Sequence, residues 1–339
     1  MPLGRGGALN RQRIPWLRRH PPKEKAKRVK QPVLLLLIPL RDEFLAQLHE
    51  HFDIRYAPTP AERTRAIAEH GANVEIVLTN GTTGLRSDEV DALPKLRFAS
   101  AFGAGFENID VDHARARGIA LANGAGTNED CVADHALALL LSAVRAIPRL
   151  DNATRHGMWR DALPLFPQVA HKRVGILGLG SIGRKIARRC EAFDMAVGYH
   201  NRSPREGLSH RYFDSAEALA QWSDFLIVAA PGGAATKHIV NAAVLKALGP
   251  DGFLVNISRG SLVDTAALAK ALETGELRGA ALDVYEGEPV APAALIDLQN
   301  IVLTPHVAGW SPEANQASLQ CFIDNAALHL AGEPLRTPI

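Results

Sequence analysis

A glycine-spaced turn between an apolar run and a helical stretch constrains this chain more than any other feature. Residues 174–177 form the run, Gly178-Leu179-Gly180-Ser181-Ile182-Gly183 the turn, and 182–193 continue at helical spacing. Gly178 lets the chain turn tightly. Gly180 has no Cβ, so a pyrophosphate can reach the backbone, and Gly183 lets a helix pack on its strand. The N-terminus of that helix offers free N–H groups and positive potential to phosphates. A G-x-G-x-x-G pattern alone is a weak signal. Its place between strand and helix is what a dinucleotide site requires, so residues 178–183 are read as cofactor-binding.

The surroundings agree with that reading. Apolar runs at 174–177, 196–200, 225–230, 253–257, 280–284 and 301–303 alternate with helix-like stretches. The same alternation precedes the turn, with runs at 33–38, 74–79, 96–101 and 119–122. Repeated strand–helix alternation implies doubly wound parallel sheets, and 339 residues suit about two domains. A helix is predicted over 128–146, an irregular arm with Pro148, Pro164 and Pro167 over 148–170, and a last helix over 312–331.

Charge is unevenly spread. Residues 1–30 hold ten Lys or Arg and one acid, Glu24; that +9 against +2 overall leaves −7 for the rest. The basic segment, 1–31, is read as a disordered tail. Nothing in the body's sequence suggests a nucleic-acid face, so no specific nucleic-acid partner is expected, and a basic tail alone gives at most nonspecific attraction to phosphates. The apolar run that follows the tail is too short for a membrane span and lacks a cleavage site, so it is read as a buried strand. Three cysteines, Cys131, Cys190 and Cys321, show no CxxC pairing. No disulfide framework and no metal site are expected, and a reducing, cytoplasmic setting is.

The strand after the turn ends in His200-Asn201-Arg202-Ser203. An acid there would bind a ribose 2′-hydroxyl and repel a 2′-phosphate. Asn201 stands in the acid's place, Arg202 offers positive charge and Ser203 a donor, which favours NADP(H) and leaves NAD(H) possible. Three more segments close strands, where open α/β sheets bind ligands. One is Asn256-Ile257-Ser258-Arg259-Gly260, whose guanidinium can grip a carboxylate. The others are Asp283-Val284-Tyr285-Glu286-Gly287-Glu288-Pro289 and Thr304-Pro305-His306. A carboxylate beside a histidine favours imidazolium, a competent acid near neutral pH.

These motifs, in this order, resemble the D-isomer-specific 2-hydroxyacid dehydrogenase family over nearly everything after residue 32. Phe102-Gly103-Ala104-Gly105-Phe106-Glu107-Asn108-Ile109-Asp110 is similar to its substrate-carboxylate loop, and Asn128-Glu129-Asp130-Cys131 to the start of its interdomain helix. Asn201-Arg202-Ser203 is similar to the NADPH-preferring glyoxylate/hydroxypyruvate reductase branch. The resemblance implies a Rossmann cofactor domain, 127–308, inserted into a flavodoxin-like substrate domain built from 32–126 and 309–339. It implies that Arg259 binds a 2-keto acid, that His306 is the general acid and that Glu288 pairs with it. Ile257, Ser258 and Asp283 then line the cofactor, with Asp283 at the nicotinamide carboxamide. Ala104 and Gly105 receive the substrate carboxylate, with Asn80 and Gly81 closing over it. A homodimer through 128–170 is expected. Glyoxylate and hydroxypyruvate are the expected substrates. Hydroxyphenylpyruvate or 2-ketogluconate, and a non-catalytic dinucleotide-sensing corepressor, are the alternatives.

Overall fold

Two parallel sheets form the frame in the computed structural model, which describes residues 31–339. The expected basic tail lies outside the described residues, apart from Gln31. The first sheet contains β1 (Val33–Leu36), β2 (Asp53–Tyr56), β3 (Ile76–Thr79), β4 (Phe98–Ala101) and β5 (Ala120–Asn123). Its order is β2-β1-β3-β4-β5, with every pair parallel. Helices cover both faces, so β1, β3 and β4 are buried at every position and read as continuous apolar runs. Burying each leucine of β1 stabilises by roughly 1.5–3 kcal/mol. Edge strand β2 is largely open, with Asp53 and Arg55 paired along one face, so it carries no apolar run that marks it in the sequence.

One face of this sheet packs on the C-terminal helix Pro312–Ala331. Phe322 meets Phe52 with ring centroids 5.4 Å apart, and Leu319, Ile323 and Ala326 join the same core. The chain end then returns to β5, where Ile339 N donates to Leu121 O. The first sheet is thus completed by residues from the far end of the chain.

The second sheet contains β6 (Arg173–Leu177), β7 (Ala196–His200), β8 (Arg211–Phe213), β9 (Phe225–Val228), β10 (Phe253–Asn256), β11 (Gly279–Leu282) and β12 (Ile301–Leu303). Its order is β12-β11-β10-β9-β6-β7-β8, again all parallel. The order reverses between β6 and β9, and such a switch point leaves a crevice at the strands' carboxyl ends. The helix Glu129–Val144 buries Val132, Ala136, Leu139 and Leu140 in this sheet's core. Its Asp130 and Asp134 pair with Lys185 and Arg189 of the helix Ser181–Ala192.

The arm predicted as irregular is corrected in its first part, because Ile147–Arg155 is a helix. Pro148 lies in its first turn, where the missing N–H has no intrahelical partner to lose. Among the described residues no single helix is long and apolar enough to cross a membrane.

Candidate active site

The loops at the carboxyl ends of both sheets supply the site. At the switch point, Gly178 has φ 102°, and a Cβ there would lie 2.5 Å from Ala230 N. A Cβ on Gly183 would collide with the carbonyl of Gly178. Gly180 differs, since a Cβ there would meet nothing within 4 Å. The first and third glycines therefore make the turn, and the second keeps its outer surface clear. Gly180 is also the N-cap of the helix Ser181–Ala192, with no side chain to satisfy the helix N–H groups. Leu179 is buried beneath the turn, and Ser181 is exposed in the helix's first turn with Ile182 half-buried beside it.

Asn201 follows β7 and ties the turn in place. Its Oδ1 accepts from Leu179 N at 2.7 Å, while its buried Nδ2 has no protein partner. Arg202 and Ser203 are exposed beside it. A cleared glycine surface, an uncapped helix start and an orphaned amide donor fit a dinucleotide's phosphates and ribose.

The loops after β11 and β12 bring a histidine and a carboxylate together. His306 Nδ1 lies 2.7 Å from Glu288 Oε2, and Glu288 Oε1 accepts from Tyr285 N at 2.9 Å. The Glu288-Pro289 peptide is cis. His306 sits at φ 57°, a left-handed conformation uncommon for a residue with a Cβ. It is held there by its own N–H, which donates to Asp283 O at 2.8 Å.

Asp283 is fully buried, and its carboxylate serves this loop. Oδ1 accepts from Thr304 Oγ1 at 2.6 Å and Val307 N at 2.9 Å; Oδ2 accepts from Ala308 N at 2.8 Å. His135, from the helix Glu129–Val144, adds Nε2 at 3.0 Å from Thr304 Oγ1 and 3.4 Å from Asp283 Oδ1. Burial pushes the Asp283 carboxyl up, but the hydrogen bonds from His135, Thr304, Val307 and Ala308 outweigh it and hold the group below the usual carboxylate range.

Arg259 follows β10, and buried Asn256 shapes its turn. Asn256 Oδ1 accepts from Ser258 N and Oγ, both at 3.1 Å, and its Nδ2 donates to Arg259 O at 2.9 Å. Ile257 and Ser258 are buried at the strand's end. Gly260 packs so tightly on the Tyr285–Glu286 backbone that any side chain would collide. The guanidinium reaches across to the first sheet, where a Cβ on Gly105 would strike its Nη2. Nη2 also pairs with Glu107, 3.0 Å from Oε1 and 3.2 Å from Oε2.

The Gly103–Gly105 loop after β4 is braced from β5. Asn123 Nδ2 donates to Ala104 O at 2.7 Å, and Gly124 N donates to Gly103 O at 2.6 Å. After β3, Asn80 Oδ1 accepts from Thr83 N at 2.7 Å and so folds its own loop. Gly81 lies against Gly105, where a Cβ would come within 2.7 Å of the Gly105 carbonyl carbon. The predicted residues thus fall into three groups: the glycine turn with Asn201, the His306–Glu288 pair, and Arg259 against Gly105 and Gly81. Glu107, His135 and Asn256 contribute without having been assigned roles from sequence.

Comparison with known proteins bears on these groups. Residues 137–308 match the family model described as the D-isomer specific 2-hydroxyacid dehydrogenase NAD binding domain. The chain is 37% identical to hydroxyphenylpyruvate reductase of Plectranthus scutellarioides over 90% of its own length and 98% of the relative's. It is 37% identical to 2-ketogluconate reductase of Gluconobacter oxydans, covering 91% and 99%. A similar solved structure is the NADPH-dependent glyoxylate/hydroxypyruvate reductase of Sinorhizobium meliloti in complex with NADP and malonate. It is 38% identical with a TM-score of 0.82, covering 91% of this chain and 97% of that one.

Proposed function

We propose, for a chain that belongs to the D-isomer specific 2-hydroxyacid dehydrogenase family, the NADPH-dependent reduction of small 2-oxo acids, glyoxylate and hydroxypyruvate, to D-2-hydroxy acids. The observation that carries the reading is the meeting of two loop sets. His306, hydrogen-bonded to Glu288, stands on one sheet's loops, and Arg259 reaches from that sheet onto Gly105 of the other. A proton donor and an anion grip on facing loops suit a keto acid.

Residues 178–183, with Ile257, Ser258 and Asp283 at neighbouring strand ends, hold the cofactor in this reading. When bound, the nicotinamide supplies the hydride. Arg259 and the N–H groups near Ala104 and Gly105 bind the substrate carboxylate, with Asn80 and Gly81 shaping the wall. Glu288 engages Nδ1 of His306, which leaves Nε2 to donate the proton to the keto oxygen. Asp283 does further service by fixing the backbone of 304–308 through its buried carboxylate.

The preference for NADPH rests on the end of β7. No acid stands among residues 200–205, and Arg202 and Ser203 are exposed there. Reduction of glyoxylate, hydroxypyruvate, hydroxyphenylpyruvate and 2-ketogluconate, each with NADPH and NADH, tests the whole reading. Equal or better use of NADH removes the cofactor assignment, and no turnover with any 2-oxo acid removes the activity and favours a dinucleotide sensor. In Arg202→Ala the KM for NADPH rises about tenfold, as loss of one charge-assisted contact implies. An unchanged KM takes Arg202 out of the site.

A homodimer is part of the same reading. Ile147, Met158, Trp159 and Leu165, all within 147–165, expose large apolar surfaces that a second copy would cover. Free thiols at Cys131, Cys190 and Cys321 support a reducing, cytoplasmic setting.

A further inference from the structure

A carboxylate already sits where the proposed substrate's is to bind, and it belongs to the chain. Glu107 reaches into the angle between Gly81, Gly105 and Arg259. Its Oε2 lies 2.7 Å from where a Cβ of Gly81 would stand and 2.8 Å from where one of Gly105 would. Its carboxylate is 3.0–3.2 Å from Nη2 of Arg259. We propose that Glu107 occupies the substrate-carboxylate position in competition with substrate, so that binding a 2-oxo acid exchanges one carboxylate for another on Arg259. This rests on the reading of Arg259 as the substrate-binding residue.

Several features make the exchange workable. Arg259 Nη1 spends one N–H on its neighbour's carbonyl, Ser258 O, at 2.6 Å, and the Nη2 edge that Glu107 holds is the one turned toward Gly105, where a substrate carboxylate would meet it. The pair is also easy to part. Both side chains are 33% exposed, and ion pairs so open to water are weak. Finally, Glu107 cancels the charge of Arg259 and so lowers the pull of the site on any anion. The stem of Glu107 lies near Gly232, where a Cβ would come within 3.7 Å of its Cγ and 2.9 Å of Cγ of Arg259. Glycine there gives both stems room to move.

The opposite role, a brace that aims Arg259 for substrate, predicts the opposite sign. If Glu107 braces, its removal weakens substrate binding; if it competes, its removal strengthens binding. The test uses the full-length enzyme with saturating NADPH and oxamate, a 2-oxo amide analogue that is not reduced. In Glu107→Gln the oxamate Kd and the keto-acid KM fall together by about two- to fivefold, the factor a weak exposed pair implies. The turnover number moves by less than either. Glu107→Ala shifts both constants in the same direction, because charge and not shape is the cause. Oxamate bound no more tightly by Glu107→Gln than by the wild type overturns the exchange. Arg259→Gln separates the two failures. If it loses oxamate while Glu107→Gln gains nothing, the exchange alone falls. If wild type binds oxamate no better than Arg259→Gln, the role of Arg259 falls and takes the exchange with it.

Discussion

The loops after β11 and β12 and those after β3 and β4 form opposite walls of one site, but they are built differently. The first wall is locked from below. A fully buried carboxylate, Asp283, takes three hydrogen bonds from the loop that carries His306. The second wall is made largely of main chain. Gly81, Gly103 and Gly105 give it a surface without side chains, and the half-open Glu107–Arg259 pair ties it to the loop after β10. Proton transfer needs a donor placed within a few tenths of an ångström, which buried bonds secure. Anion capture needs N–H groups and room, which glycine loops provide. The rigid wall does the chemistry in this scheme, and the adaptable wall admits the substrate.

Substitutions can break or sharpen that contrast, beginning with the largest effect. His306→Gln removes the proposed proton donor and leaves both walls standing. Turnover is expected to fall by about 10²–10⁴-fold, with NADPH affinity, read by fluorescence titration, within a small factor of wild type. Near-normal turnover would take His306 out of the mechanism.

Asp283→Asn attacks the lock itself. It places an amide donor against N–H and O–H donors in a dry site, at a cost of about 3 kcal/mol in denaturant unfolding. The pH dependence has a definite sign. Because the folded-state carboxyl lies below its unfolded value of about 3.9, its stabilisation is present above that pH and is lost as pH falls through the lower, folded value. The gap in melting temperature between wild type and variant therefore persists at pH 7 and closes only below about pH 4. A gap unchanged between pH 7 and pH 3 would take the Asp283 charge out of the lock.

Gly105→Ala tests the adaptable wall and has the smallest effect. The new methyl meets the mobile end of Arg259, so the fold should tolerate it and the guanidinium move aside. The keto-acid KM is expected to rise about tenfold with unfolding midpoints unchanged. Loss of stability equal to that of Asp283→Asn would show the two walls to be equally rigid.

The contrast was only half legible in the sequence. Gly178–Gly183, Arg259, Glu288 and His306 announce themselves because each follows an apolar run that had to be a strand. Edge strands β2 and β8 carry no such run, since Asp53, Arg55 and Arg211 face outward. Pro148 suggested a broken chain because proline interrupts helix interiors, yet it stands in a helix's first turn. Glu107 meets Arg259 across 152 residues, a contact that no local pattern encodes. Asp283 was assigned to the cofactor from resemblance. Only the fold shows Val307 and Ala308 turning their N–H groups back onto it.

The left-handed backbone at His306 has a consequence in time. That conformation costs about 1–3 kcal/mol and persists only where surrounding structure enforces it. Here the enforcing bond runs from His306 N to the carbonyl of Asp283, just past the end of β11. In an unfolded chain nothing holds the histidine in that shape. During refolding, His306 therefore reaches its working geometry only after β12 has docked beside β11, and turnover can recover no sooner than that pairing forms.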